Sequence, residues 1–496
     1  MFFFIIRRFL VSIPILLTSS ILMFFLVINS GDPLADLRIS TNPNRDQLIA
    51  ARRQRLRLND SFWERYTDWI TGIFRGDFGQ NREGQNVSTL LSQAVQTTMR
   101  LVILATILSI VIGILFGIIT AVRQYSALDY SSTFAAFLFF SLPVFWVAVL
   151  LKEFGAIKYN DYLEEPGLST TGILILTVLS SLFVGGLVSG SRSRRALAVA
   201  VTAVVSAVVL LLVDSSDWMT NPGLSPIVLT AVVAVAAVGC AAIYAPLSNT
   251  RVVVSALGAA GIGLLGAAIF SDWVVDPNWT KIALLIVMSG LVGAGVGAAA
   301  GGVVDRRAAM RAGVAATFAA ASVIVVDEFV SAWEPGRTVG TIGPQTPNLT
   351  GTFWPRMVDY AGHQILPSLA LALIGFATFM RFTRSSMLDT MKSDYVRTAK
   401  AKGLPATQVI MRHAFRTALI PVMTVVTISF ASIIEGAVIT ETVFGWKGMG
   451  QLFIDGVRDV DPYPVMGFVV VVSASIVLLN AFADILYAYL DPRIRR

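Results

Sequence analysis

The chain has 496 residues, of which 55% are hydrophobic and 14% are charged, and its formal net charge is +7. This composition lies outside the range of soluble globular proteins. The basic residues cluster between and beside apolar segments, which indicates membrane orientation and argues against nucleic acid as a partner. The single cysteine, Cys240, lies in an apolar segment, where we expect it to pack, so the sequence excludes an internal disulfide framework and a cysteine-based zinc site.

Apolar segments long enough to cross a bilayer recur along the chain. About 30 Å of hydrocarbon requires roughly 20 helical residues. We therefore predict an all-α polytopic membrane protein with about twelve spans, at 9–29, 101–122, 130–151, 171–190, 196–213, 226–246, 252–270, 282–303, 312–331, 361–380, 417–440 and 465–489. The first is kept as a span because the polar residues 29–33 follow it, which is not typical of a cleaved signal peptide.

Basic residues predict that both termini are cytoplasmic. Arg7 and Arg8 precede the first span, and segment 381–416 carries eight basic against two acidic residues. An even number of spans returns the C-terminus to the same side. Segment 30–96 is then external, and its aromatic residues at 63, 66 and 69 predict a small folded cap with helices. The alternative is a mobile external loop.

Spans four to nine differ from the others, because they consist mainly of alanine, valine and glycine. A basic turn, an apolar helix and a tryptophan recur at 195–218, 251–273 and 311–333. This pattern predicts three helical hairpins. Small residues would let these helices approach closely, and they include Gly293, Gly295, Gly297, Gly301 and Gly302. Two interpretations stay open: a lipid-facing elaboration without transport chemistry, or a surface that docks a partner or shields the core.

The basic segment 381–416 predicts a short cytoplasmic helix. Alanine, lysine and arginine favour helix, and Gly403 followed by Pro405 ends it. Its positive face suits either anionic lipid or an acidic groove on a partner protein. The element comprises Asp394, Tyr395, Val396, Arg397, Thr398, Ala399, Lys400, Ala401, Lys402, Gly403 and Leu404.

At these residues the sequence resembles the dipeptide, oligopeptide and nickel permeases of binding-protein-dependent ABC importers. The stretch 395–403 is similar to their ATPase-coupling helix, the EAA loop. Arg397 stands where the general pattern has a glutamate, so no glutamate role is transferred to it. Further segments that resemble the family are 31–33, 75–79, 141–146, 412–421, 441–444, 448–450, 461–464 and 490–493, with Asp484 and Tyr487.

The resemblance implies a six-helix type I ABC importer permease core built from the first three and last three spans. The six spans between them depart from the family and form an insertion. The predicted parts are the first core span (1–29), an external cap (30–96), core spans two and three (97–152), inserted hairpins with flanking outer loops (153–345) and core spans four to six with the coupling loop (346–496).

By resemblance, the chain is a permease subunit for di- and oligopeptides in the bacterial cytoplasmic membrane, and forms half of the pathway. The implied partners are a second homologous permease, two ATP-binding cassette subunits and an extracytoplasmic substrate-binding protein. The sequence has no Gly-x-x-x-x-Gly-Lys-Ser/Thr loop, so we expect no catalytic residue, cofactor or metal in this chain, and ATP with Mg on the partner ATPases. Ala399 and Gly403 would contact the ATPase groove, and Arg397, Lys400 and Lys402 would pair with its acids or face lipid headgroups.

Ionisable groups within spans are functional hypotheses. Glu435 would line the pathway, contact the permease interface or have a structural role, whereas Asp484 suits a structural role better. Lys152 at a span end would reach the interface by snorkelling. The alternative functions are a permease for nickel or another small solute, an assembly protein that has lost transport, and an ion-coupled secondary transporter with an inverted repeat and broken helices. Two histidines, His363 and His413, do not by themselves predict a metal site.

Overall fold

The computed structural model describes residues 2–164, 166–188, 191–216, 218, 222–333 and 339–490, and their side chains except at 2–9, 424, 427–436 and 482–490. Across these ranges every regular element is helical, apart from an isolated bridge between Gln80 and Asn86. The all-α prediction is therefore confirmed.

The helices are numbered in chain order. The first part contains α1 (Phe2–Ile28), α2 (Ala35–Arg38), α3 (Arg45–Arg55), α4 (Phe62–Ile73), α5 (Val87–Val122), α6 (Ala127–Ser141), α7 (Val144–Lys152), a π-helical turn (Glu153–Ile157) and α8 (Lys158–Tyr162). The middle part contains α9 (Thr170–Leu187), α10 (Arg192–Ser215), α11 (Pro226–Tyr244), α12 (Thr250–Ile269), α13 (Ser271–Val275), α14 (Trp279–Ala300) and α15 (Gly302–Ser331). The last part contains α16 (Phe353–Met391), α17 (Asp394–Ala401), α18 (Ala406–Gln408), a second π-helical turn (Val409–Ala414), α19 (Phe415–Phe444), α20 (Met449–Arg458) and α21 (Pro462–Leu490).

Most predicted spans correspond to helices that could cross a membrane. In the described part of the chain ten helices are long and apolar enough, and an eleventh crossing results if the bent pair formed by 127–141 and 144–162 is counted. The remaining predicted span, 417–440, lies within α19, where many side chains fall outside the described set. The chain is therefore a multi-pass membrane protein.

The predicted third span, 130–151, is wrong as a continuous helix. α6 ends at Ser141, and the helix that follows is bent away by 105°. Pro143 lacks a backbone N–H and disfavours a helical conformation at the residue before it. Leu142 accordingly has the extended angles φ −82° and ψ 132°.

The chain divides into two compact units. The first comprises Met1–Ala156, Thr341–Pro344 and Gln364–Arg496, and the second comprises Ile157–Gly340 and Gln345–His363. In the first unit α5 packs against α6, α19, α20 and α21.

Glycines bring α5 close to the part of α16 that belongs to the first unit. A Cβ atom added at Gly113 would lie 2.6 Å from Cβ of Phe379, and one added at Gly117 would lie 2.6 Å from Cβ of Thr383. Residues four apart share one helix face. The backbones of α5 and α16 therefore approach each other closely at these two glycines.

The cap at 30–96 is folded and helical, as predicted. α4 begins with a capping box in which Ser61 and Glu64 each bond to the other's backbone N–H. Tyr66 and Trp69 are buried in a cluster with Phe24 of α1, whereas Trp63 is 61% exposed. The same cluster includes Met466 of α21, so the cap is anchored on the spans of its own unit.

The second unit contains the three predicted hairpins. α9 packs against α10, while α11, α12, α14 and α15 join into one four-helix group with an alanine-rich core against which Cys240 packs. A Cβ atom at Gly293 would lie 2.6 Å from Cα of Val314, and one at Gly297 would overlap Met310 of α15. Gly295 faces open space, so the predicted close approach is confirmed for Gly293 and Gly297 but is wrong for Gly295.

Candidate functional site

The short helix that the sequence predicts in the basic segment is present as α17. It begins at Asp394 and ends at Ala401, and Gly403 has a φ of +71°, in the left-handed region that favours glycine. The N–H of Gly403 donates to the carbonyl of Lys400 over 3.0 Å, and Pro405 follows. The sequence therefore predicted the helix and its end correctly.

One face of α17 is anchored on its own chain. Val396 is fully buried and Ala399 is 5% exposed, and residues three apart lie on the same face of a helix. They belong to a buried group that we call the coupling cluster: Ala121, Met387, Val396, Ala399, Val409, Ala414 and Ala418. Leu404 is partly buried against the cluster. α17 thus packs against the second π-helical turn and shares this buried cluster with the C-terminal end of α5 and the N-terminal end of α19.

The position of Ala399 corrects an expectation. The sequence suggested that Ala399 contacts an ATPase groove, but its side chain points into the coupling cluster. Its small size suits close packing of α17 against the second π-helical turn, which contributes Val409 and Ala414 to the cluster. Gly403 is exposed, and a Cβ atom there would meet nothing within 4 Å.

The other face of α17 is exposed and basic. Arg397 and Asp394 have side-chain exposures of 72% and 100%, and their charged groups are 3.8 Å apart. Such an exposed pair contributes little to stability. Tyr395, Lys400 and Lys402 are exposed as well. Three bases against one acid make this face suitable for an acidic partner surface.

The stretch 381–391 is not part of a loop, as the sequence suggested, but continues α16. Arg384 donates to both carboxylate oxygens of Asp129 at 2.9 and 3.0 Å. Asp129 is buried at the start of α6 and also accepts from the N–H of Tyr125. The guanidinium of Arg381 lies 4.6 Å from the ring centre of Phe140. These two arginines therefore fasten α6 to α16 and do not belong to the exposed basic face of α17.

A buried carboxylate lies at the C-terminal end of α19, in the family-like segment 441–444, to which the sequence assigned no role. Glu441 is fully buried, and its Oε1 accepts from Oγ1 of Thr98 over 2.5 Å. Its Oε2 accepts from the N–H groups of Gly450 and Gln451, at 2.8 and 3.2 Å, at the start of α20. A glutamate seven residues before the sequence Gly-Met-Gly was a usable signal, but nothing local identified Thr98 as its partner.

Lys152 also differs from expectation. It does not snorkel but donates to the backbone carbonyl of Val443 over 2.8 Å, with its ammonium 5.9 Å from the ring centre of Phe444. A cation at a helix C-terminus is favourable because unpaired carbonyls accumulate there. The C-terminal end of α19 is therefore held by α5, α7 and α20.

The other candidate residues fall in different places. The side chains of Glu435 and Asp484 lie outside the described residues. His363, in the second unit, is buried with its Nδ1 2.9 Å from the carbonyl oxygen of Asp359. His413, in the first unit, lies in the second π-helical turn.

Comparison with known proteins identifies the family. The sequence profile described as "Binding-protein-dependent transport system inner membrane component" matches residues 318–496, and the profile of its N-terminal part matches residues 1–104. The chain belongs to the family of binding-protein-dependent transport system inner membrane components.

Several named relatives belong to this permease family. An oligopeptide transport system permease protein of Bacillus subtilis is 26% identical over 498 residues, which cover 99% of this chain and 98% of that protein. An oligopeptide permease protein of Mycobacterium tuberculosis is 38% identical over 180 residues, or 36% of this chain and 55% of that protein. A dipeptide permease protein of Escherichia coli is 44% identical over 138 residues, or 28% and 41%. The part of this chain that matches the Mycobacterium relative thus covers about half of that protein's length.

Proposed function

We propose that this permease is the membrane-spanning subunit of an ATP-driven importer of di- and oligopeptides. It forms half of the pathway with a second homologous permease, and two ATPase subunits bind ATP and Mg. The observation that carries the proposal is α17, which has one face buried in a cluster shared with α5 and α19 and an exposed basic face. Similarity to permeases named for oligopeptide and dipeptide transport supports the substrate class.

The geometry of α17 suits force transfer. A partner that binds its exposed face can move the coupling cluster, because Val396 and Ala399 share this buried cluster with Ala121 of α5 and Ala418 of α19. Close-packed groups move together, since interiors have little free volume. Displacement of α17 by ATPase closure would therefore shift the inner ends of two core spans and alternate the access of the pathway.

The proposed orientation places α17 and both termini in the cytoplasm and the cap outside. The basic residues of α17 then obey the positive-inside rule. The folded cap, anchored through Phe24, Tyr66 and Trp69, offers the substrate-binding protein a rigid outer surface. Delivery of peptide by that protein is part of the proposal.

We also propose that the second unit is largely an insertion into the permease core. The region 105–317 lies between the two stretches that match the family. The Mycobacterium relative is much shorter than 496 residues, because 180 aligned residues already make up 55% of it. An even number of inserted spans leaves the orientation of the following core spans unchanged.

Two other functions make different predictions. A permease for nickel or another small solute would keep ATP dependence and change only the cargo. An ion-coupled secondary transporter is favoured by the 105° bend after α6, since such proteins use broken helices. An ion-coupled transporter has no ATPase subunit for α17 to bind, so that mechanism does not explain its exposed basic face.

The deciding experiment is uptake of labelled di- to hexapeptides by proteoliposomes that contain this chain, its partner permease, ATPases and binding protein. We expect uptake that requires internal ATP and is unaffected by collapsing ion gradients. Gradient-driven uptake without ATPase subunits would overturn the proposal. ATP-dependent uptake of nickel but not of peptides would retain the importer and replace the substrate.

A further inference from the structure

Three helices meet at Thr98 near the outer end of α19. Its hydroxyl donates to Glu441 of α19 over 2.5 Å and accepts from the N–H of Met449, the first residue of α20, over 2.8 Å. Thr98 itself belongs to α5 and is 3% exposed. One buried hydroxyl therefore connects α5, α19 and α20.

The carboxylate of Glu441 completes this connection. It accepts the N–H groups of Gly450 and Gln451, which have no partner within α20 because they lie in its first turn. The backbone of α20 also approaches α19 closely, since a Cβ atom at Gly450 would overlap Val438. The start of α20 is therefore fixed to α19 by buried polar contacts with no room for movement.

The same two spans meet again at their inner ends. Ala121 of α5 and Ala418 of α19 both belong to the coupling cluster that holds α17. The stretches from Thr98 to Ala121 and from Ala418 to Glu441 are equally long, roughly 35 Å of helix at 1.5 Å per residue. α17, α5, α20 and α19 thus form a closed frame that is joined at both ends.

We propose that Glu441 and Thr98 are positioning residues that make α20 follow α5 and α19 when α17 is displaced. This inference rests on the proposed ATP-driven import. α20 lies between the outer ends of α19 and α21, where it packs against both and against α5. Movement of α20 with the frame opens and closes the outer end of the pathway in step with ATP hydrolysis.

A role limited to folding makes a different prediction. It would reduce the amount of competent complex, so that ATP hydrolysis and peptide import would fall together. Loss of the connection to α20 would instead leave hydrolysis running without productive opening. The number of peptides imported per ATP hydrolysed separates the two, because it does not depend on how much complex is active.

The experiment measures this ratio in proteoliposomes with the full complex and peptide-loaded binding protein. Thr98→Val removes the hydroxyl with little change in shape, and Thr98→Ser keeps the hydroxyl as a matched control. Glu441→Gln removes the charge, and Asp455→Asn is a control on the exposed face of α20. We expect the ratio to fall about tenfold in Thr98→Val and Glu441→Gln, with hydrolysis within about twofold of wild type, and to stay unchanged in both controls.

A wild-type ratio in Thr98→Val would overturn the inference even if Glu441→Gln failed to assemble. Proportional loss of import and hydrolysis at a constant ratio would overturn it as well, in favour of structural support. If the wild-type complex imports peptides without ATP, the proposed function fails, and this inference fails with it. The first two results leave ATP-driven import intact, so the two failures are distinguishable.

Discussion

Oγ1 of Thr98 donates a hydrogen bond to Oε1 of Glu441 over 2.5 Å, although 343 residues separate them along the chain. Glu441 is fully buried, and three donors converge on its carboxylate. When a buried donor loses its acceptor, the protein is destabilised by more than the free energy that a typical hydrogen bond contributes to folding. The C-terminal end of α19 should therefore be sensitive to small changes.

Glu441→Ala is expected to destabilise the permease. The substitution leaves the hydroxyl of Thr98 and the N–H groups of Gly450 and Gln451 without their acceptor, at a cost of about 3 kcal/mol. The apparent melting temperature of the purified complex measures this effect. Asp455→Ala on the exposed side of α20 serves as the control, and equal melting temperatures for the two variants would contradict the burial of the carboxylate.

Asp461, in the turn before α21, predicts a pH dependence. Burial raises the pKa of Asp461 to about 6, although hydrogen bonds from the backbone N–H groups of Arg82 and Tyr463 oppose this rise. The ordinary value is 3.8, so between the two values the folded protein holds a proton that the unfolded chain releases. The resulting stability is present at low pH and is lost as the pH rises through about 6.

Asp461→Asn should remove this dependence. The amide keeps an oxygen that can accept from the N–H of Arg82, which lies 2.5 Å from the carboxylate in the wild type. We expect the variant to match wild type near pH 4 and to be more stable by about 3 kcal/mol at pH 7.5. Melting temperatures at both pH values test this, and a difference that does not vary with pH would argue against a raised pKa.

The pair between Asp129 and Arg384 should behave as a coupled unit. Both oxygens of the buried carboxylate bind the guanidinium, at 2.9 and 3.0 Å. Removal of one partner leaves the other charge uncompensated, which costs roughly 3–5 kcal/mol at buried sites. In a double-mutant cycle, Asp129→Asn with Arg384→Gln should cost less than the sum of the single substitutions. Additive losses would show that the pair contributes nothing of its own.

Gly403 should tolerate substitution according to backbone conformation and not according to size. Its φ is +71°, and a Cβ atom there meets nothing within 4 Å. Gly403→Ala is expected to cost about 1 kcal/mol at the end of α17, Gly403→Asn less and Gly403→Val more. ATP-driven import should decline in the order Asn, Ala, Val. Equal import by the asparagine and valine variants would indicate that the conformation of this residue does not matter.

The sequence correctly predicted the structural features that depend on neighbouring residues alone. Apolar blocks predicted the spans, and Gly403 with Pro405 predicted the end of α17. Pro143 by itself favours a helix break, but the apolar residues on either side made 130–151 resemble one continuous span. The inward direction of Ala399 depends on how α17 packs against the turn that follows it, and the pairing of Glu441 with Thr98 joins residues 343 positions apart, so the local pattern revealed neither.

In the proposed mechanism the exposed face of α17 binds an ATPase subunit while its buried face moves the permease. A photocrosslinking amino acid placed at Arg397 or Lys400 tests it in the assembled complex, with Asp455 on α20 as the control position. We predict crosslinks to the ATPase from positions 397 and 400 and none from 455. A complex that imports peptides with ATP but gives no ATPase crosslink from either α17 position would show that this face of α17 does not bind the ATPase.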